Sequence, residues 1–321
     1  MSFENVMKRA TLGATIAISL KEILRDPKRG IRNAVDLFDC FTRGIFDEAF
    51  MQRIRREAGN SRSSFFKTVS SMVANVDPSI LKTVGTNLCY NRLSLFRDRE
   101  SRKKKAAAEK AQADFCESLE AAVQYGKQLG VYFYVVGGDN LPESREKVLD
   151  VCRQNGDCVF YLCADGDDID DRFAREAASA KNIILAVNIP AMAPPEEPGG
   201  SSHAFITLKK HRCLYGFSVR LDSSAALSCC GSDFISRMAR SGCLFGWYFC
   251  GFGKSRTHVL DAMRSMMRSA ASVNAPPLLL LDSELDNRLR ERFVTGGRCY
   301  LSIGEKKAKV KFYLADKKRP G

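Results

Sequence analysis

Two acid-and-glycine turns and a scatter of thiols are the residues here whose types and spacing could do chemistry. The first turn, Gly137-Gly138-Asp139, follows the apolar run Val131–Val136. Paired glycines let a backbone approach a ligand closely, and an aspartate can accept from an ammonium or a hydroxyl. The same dipeptide is also a common way to leave a sheet sharply. The second turn, Asp165-Gly166-Asp167-Asp168, has the acid density of a cation site but lacks calcium-loop spacing. Asp168 is instead expected to start a helix through Ile169 and Phe173. The twelve cysteines are dispersed. Cys158, Cys163, Cys213 and Cys250 fall inside predicted strands or helices, which points to buried free thiols in a reducing compartment. Cys158 and Cys163, five apart on one strand, must face opposite sides, and adjacent Cys229-Cys230 are badly placed to chelate one metal. No Cys/Cys or Cys/His pair has zinc spacing with a second pair to match. His203, His211 and His258 have no carboxylate in register and read as surface or satisfied histidines.

The elements around the first turn place it. Before it, Phe115, Leu119, Ala122, Gly126 and Leu129 recur at helical spacing, and Gly130 stops the pattern. After it, a helix runs through Val148, Leu149 and Cys152 to Asn155-Gly156. Strand, glycine turn, helix, strand is the grammar of a parallel α/β sheet, whose ligands sit at the carboxyl ends of strands. The predicted strands are Val131–Val136, Asp157–Ala164, Asn182–Asn188, Leu214–Leu221, Leu244–Phe252 and Pro277–Asp282. Between them, Ser232 caps a helix to Arg240 that Gly242 ends, and Ala193–Ser202 is a loop. His258–Ala271 is a helix whose methionine stripe serves the core. Arg298–Ile303 and Val310–Leu314 read as a hairpin before a basic tail.

Residues 1 to about 110 read as helices broken at Asp26-Pro27 and Asp77-Pro78. Ile31, Val35, Phe38 and Phe41 form one apolar stripe, and Ile80, Leu81 and Val84 another. Arg97–Ala113 mixes charge with alanine and reads as an exposed helix. Three regions follow: a helical region with a basic linker helix over 1–110, a parallel α/β region over 111–295, and a hairpin with basic tail over 296–321. Across the 321 residues, 45% are hydrophobic and 27% charged, an ordinary balance for a soluble globular protein. The formal net charge of +13 favours anionic partners without bearing on fold. Ala10–Leu20 is too short to span a bilayer, which takes about 20 residues. A cytoplasmic protein is expected.

The order of these motifs resembles the radical S-adenosylmethionine superfamily. The leader segments DPKRGIRNAVDLFD and VDPSILKTVGTNLCYN look like the helical leader of some bacterial members. YFYVVGGD is similar to the second barrel strand, which normally ends in Gly-Gly-Glu. NGDCVFYLCADGDDID resembles the third strand and its loop, NIILAVNIP the fourth, GFSVRL the fifth, and GCLFGWYFCGFG the sixth. GGRCYLSIG resembles the C-terminal strand. The resemblance implies an incomplete parallel (β/α) barrel, its first strand lost, with a helical N-terminal region and a C-terminal β-hairpin. In the family, three cysteines after the first strand hold a four-iron, four-sulfur cluster whose fourth iron binds S-adenosylmethionine. Here that place, between about Phe96 and Glu117, carries the Arg/Lys/Ala segment and one cysteine, Cys116. One thiolate cannot replace three ligands, so no 4Fe–4S cluster is expected. Asp139 stands where glutamate is usual, and Asn188 where an acid is common.

A catalytically degenerate member is therefore expected, a binding or scaffold protein, with an active radical S-adenosylmethionine enzyme as one candidate partner. S-adenosylmethionine is the candidate ligand, and its remnant pocket would comprise Gly137, Gly138, Asp139, Asp165, Gly166 and Asn188. No catalytic residue and no metal ligand is assigned. Two alternatives stand beside this reading. One is an active enzyme with unusual cluster ligation. The other is nucleic-acid binding through Arg99–Lys110 and the Lys306–Arg319 tail, which charge permits although no reading module accompanies it.

Overall fold

The structure, a computed structural model, describes residues 3–41, 48–97, 118–128, 131–137, 145–190, 200–221, 230–250, 265, 277–282 and 301–303. The chain opens with five helices: α1 (Phe3–Arg25), α2 (Pro27–Phe41), α3 (Glu48–Gly59), α4 (Ser64–Asn75) and α5 (Pro78–Arg97). Both Asp-Pro pairs work alike. The aspartate side chain accepts from a first-turn amide, Arg29 N to Asp26 at 3.1 Å and Ser79 N to Asp77 at 2.7 Å. Proline follows at the first helical position, where a missing N–H leaves nothing unpaired. Ser63 caps α4 by accepting from Phe66 N at 3.0 Å.

Strands and helices then alternate: α6 (Leu119–Gln128), β1 (Phe133–Val136), α7 (Arg145–Gln154), β2 (Val159–Asp165), α8 (Asp171–Ala180), β3 (Ile183–Ile189), α9 (Gly200–Lys210), β4 (Tyr215–Leu221), α10 (Ser232–Arg240), β5 (Phe245–Cys250), β6 (Leu279–Asp282) and β7 (Leu301–Ile303). The strands form one sheet in the order β6-β5-β4-β3-β2-β1-β7, every pairing parallel. It is an open, curled sheet of partial-barrel form. The six strands expected from the sequence are all present, each within about two residues of its expected ends.

Both faces of the sheet are buried, which is why its strands read as continuous apolar runs. One face carries Tyr134, Val136, Phe160, Leu162, Leu185, Val187, Phe217 and Val219 against α6–α10. The alternate residues Phe133, Val159, Tyr161, Ala186, Phe245 and Trp247 form a second core with the N-terminal helices, including Ile23, Ile31, Val35, Met51, Val73 and Ile80. Each fully buried side chain of this size contributes about 1.5–3 kcal/mol, so neither layer is dispensable. The N-terminal helices also bond to segments entering the strands. Asn87 Nδ2 donates to the carbonyls of Gly156 and Cys158, each at 2.9 Å, and its Oδ1 accepts from Arg9. Asp77 N donates to the Arg212 carbonyl at 2.8 Å, and Arg212 donates to the Val76 carbonyl at 3.2 Å. The helical leader thus covers one face of the sheet and its amino-terminal end.

Four expectations change. The cap of α10 is Gly231, with no side-chain bond; Ser232 is already helical. The α8 cap is Asp170, accepting from Phe173 N at 2.7 Å, because Asp168 is spent in a 3-10 turn (Gly166–Asp168) and pairs with Arg145. Gly200–Ser202, expected in a loop, begin α9. Leu301–Ile303 runs parallel beside β1, not in a local hairpin pairing; its expected partner at 310–314 lies outside the described residues. Gly242 ends α10 as expected, at φ +86°, a conformation glycine adopts without penalty. The segments 98–117 and 251–264, with Cys116 and His258, also lie outside the described residues.

Candidate functional site

In a parallel sheet, alternate residues of neighbouring strands line up in rows across each face. On the leader's side, a row near the carboxyl ends reads Asp165, Asn188, Ser218, Trp247, Leu281 from β2 to β6. Its first three members are joined by hydrogen bonds. Ser218 Oγ donates to Asn188 Oδ1 at 2.6 Å, and Asn188 Nδ2 donates to Asp165 Oδ1 at 2.8 Å. These two bonds also fix which way the Asn188 amide points. Ser218 is buried, Asn188 half-buried and Asp165 exposed, so the chain of bonds runs from the core outward and ends on a carboxylate. Asp165 occupies the cap position of the 3-10 turn but gives it no side-chain bond.

One step inward on β2 lies Cys163. Burial pushes its thiol up to about 12. Beside it is Gly137, where an added Cβ would sit 2.5 Å from Cys163 Cβ. Only glycine allows β1 and β2 to approach this way. One step outward, Arg220 on β4 aligns with Phe249 on β5. Arg220 is the single exposed residue of β4. Phe249 stacks on Trp247 with centroids 5.2 Å apart, and Trp247 meets Tyr161 edge-on at 4.5 Å. The site is therefore a polar strip with an aromatic flank, floored by the leader-side core.

Of the residues expected from the sequence, Asp165 and Asn188 are bonded, and Gly137 directly follows the adjoining strand β1. Gly166 is buried in the turn and offers no side chain. Gly138 and Asp139 lie outside the described residues. Sequence reasoning missed Ser218, Arg220, Trp247 and Phe249. The two-residue period of β4 and β5 was the signal, since Ser218, Arg220, Trp247 and Phe249 all fall on the leader-side phase.

The described thiols do not fit an iron–sulfur cluster. Cys152, Cys158, Cys213, Cys230 and Cys243 lie in the core on the opposite face, while Cys163 packs on the leader's side. Burial holds the thiols of Cys158 and Cys213 up near 12. Among the described residues, no three His, Cys, Asp or Glu side chains converge to hold a metal. His211 is a satisfied histidine, as expected, although its partner is distant in sequence: its Nε2 lies 3.0 Å from Asp171, which also binds Lys210 at 2.6 Å. That partnership joins α8 to the end of α9, across a separation no local pattern reveals.

Comparison with known proteins finds no matching family model, no matching curated protein and no matching solved structure. Among the described residues, no helix is long and apolar enough to cross a membrane.

Proposed function

We propose that this chain is a ligand-binding protein on a partial parallel barrel, a catalytically silent relative of the radical S-adenosylmethionine enzymes, and that the strip holds a polar nucleoside ligand such as S-adenosylmethionine. The observation that carries the reading is the bonded sequence Ser218–Asn188–Asp165 at the carboxyl ends of three parallel strands. Such ends are where open parallel sheets bind ligands. A buried hydroxyl and a half-buried amide hold an exposed carboxylate in one orientation. The carboxylate accepts only, so it suits a ribose diol or an ammonium. A bound S-adenosylmethionine supplies both groups. The Arg/Lys/Ala segment in place of three thiolates favours binding without radical cleavage, and a binding protein of this kind suits partnership with an active enzyme.

Calorimetric titration with S-adenosylmethionine, S-adenosylhomocysteine and methionine tests the reading. Micromolar binding of the nucleosides is expected. Asp165→Ala should weaken it about 10- to 150-fold, the worth of a hydrogen bond to a charged group at about 1.5–3 kcal/mol. Absence of nucleoside binding at millimolar concentration would overturn the site. Release of 5′-deoxyadenosine after anaerobic reconstitution and reduction would overturn the silent chemistry.

A further inference from the structure

We infer that the outer face of α1, with the first turns of α2, is a docking surface for an anionic lipid membrane. The inference uses no residue of the strip and stands apart from the function proposed above. Met7, Thr11, Ala14, Ile18, Lys21 and Arg25 recur at three- and four-residue spacing, so they form one stripe along α1, and every one is exposed. The opposite side of the helix is anchored: Leu12 and Ile23 are buried, and Gly13 lies against Thr86 of α5. Among the described residues, seven large hydrophobic side chains are exposed, and four of them, Val6, Met7, Ile18 and Leu24, lie on α1 at between 49% and 59%. On this helix the described surface departs from a scatter of single apolar residues.

The carboxyl end of the stripe turns cationic. Lys21 and Arg25 close α1, and Lys28, Arg29 and Arg32 open α2, all five exposed. The two groups lie together because Gly30 backs onto α1, where an added Cβ would sit 2.5 Å from Ile23 N. Two carboxylates lie among them, and both are engaged locally. Glu22 accepts from Asn33 Nδ2 at 3.3 Å, and Asp26 accepts from the Arg29 amide at 3.1 Å. Among the described residues, none of the five cations forms an ion pair. Local energetics do not account for them either. A helix amino terminus favours acids, yet the first turn of α2 has none and carries Lys28 and Arg29. An anion outside the protein complements both the side chains and that helix end. An apolar stripe running into a cationic cluster matches a bilayer surface, with Met7 and Ile18 at the acyl boundary and the cations on phosphate and serine headgroups. A nucleic acid would use the cations too, but residues 7–32 contain no aromatic side chain on which a base could stack. Because α1 is already packed on its inner side, docking demands no folding of the segment.

Co-sedimentation of the full chain with vesicles tests this, comparing phosphatidylcholine alone with phosphatidylcholine carrying about 30% phosphatidylserine. Binding to the anionic vesicles is expected to be about ten-fold or more tighter, and to weaken as salt rises. Each cation near such a surface is worth about five-fold in affinity, so Arg25→Gln with Lys28→Gln should weaken anionic binding roughly 25-fold. Met7→Ser with Ile18→Ser should weaken it about ten-fold or more while the preference for anionic vesicles persists. All four side chains are exposed, so both double variants should keep the wild-type urea midpoint, read from Trp247 fluorescence. Equal affinity for the two vesicle types, or anionic binding unchanged by Arg25→Gln with Lys28→Gln, overturns the inference. So does binding to a duplex oligonucleotide without binding to vesicles, which assigns the cations to nucleic acid. Failure to bind either overturns it as well, and none of these outcomes bears on nucleoside binding at Asp165.

Discussion

Replacing Asn87 by alanine should loosen the leader from the sheet, at a cost that can be worked from three bonds. Asn87 is 1% exposed. Its amide donates to two carbonyls at 2.9 Å and accepts from the Arg9 guanidinium. A neutral bond contributes about 1 kcal/mol and a charge-assisted one about 1.5–3 kcal/mol. The Gly156 carbonyl, in an exposed residue, can recover a bond to water, whereas Cys158 is fully buried and its carbonyl loses one outright. The expected loss is about 2–4 kcal/mol, a large part of the stability of most domains. Asn87→Asp should be no milder. It keeps the contact with Arg9 but turns a carboxylate oxygen toward two carbonyl oxygens. Trp247, the one tryptophan, sits in the core shared by leader and sheet, so its fluorescence in urea reports this unit. The midpoint should fall with an unchanged slope. A loss below about 0.5 kcal/mol for Asn87→Ala, or a milder effect of Asn87→Asp, would refute the claim that leader and sheet fold as one.

Two further outcomes follow from single sites. Gly137→Ala should cost about 1–3 kcal/mol through overpacking against Cys163 Cβ; Cys163→Ala should not rescue it because that Cβ remains, while Cys163→Gly should, as thermal melts will show. Asp171 is held down to about 2 by hydrogen bonds from Lys210 and then His211, against 3.8 for the free group. A depressed carboxylate stabilises the fold above its unfolded value and loses that contribution as pH falls through the folded one. Asp171→Asn should therefore flatten the melting temperature between about pH 4 and pH 2, and an unchanged acid limb would count against the pairing.

Much of the sheet was legible in the chain because its strands are buried twice over. Val131–Val136 is apolar or aromatic throughout and Leu214–Leu221 is mostly so, and local pattern suffices for such runs. The Asp-Pro breaks were legible for a similar reason, since both residues act within one turn. Half of the candidate site could be read as well: Asp165 and Asn188 were singled out, and they prove to be bonded. What escaped depends on register. Ser218 joins them only because β4 aligns its fourth residue with Asn188, and Phe249 joins Arg220 only through β5. The leader's place on the sheet escaped too, because an apolar stripe such as Ile31 and Val35 says that something must cover it without saying what. His211 with Asp171, and β7 beside β1, are pairings of the same long-range kind.

The position of β7 has a consequence for how the protein is made. Its partner β1 leaves the ribosome roughly 160 residues earlier, on the order of ten to thirty seconds at ordinary translation rates. Through that interval the outer edge of β1 offers unsatisfied amides and carbonyls in an apolar strand, the kind of surface that recruits stray strands from neighbouring nascent chains. A holdase bound to that edge, or slowed synthesis that spaces ribosomes apart, should raise the yield of folded protein.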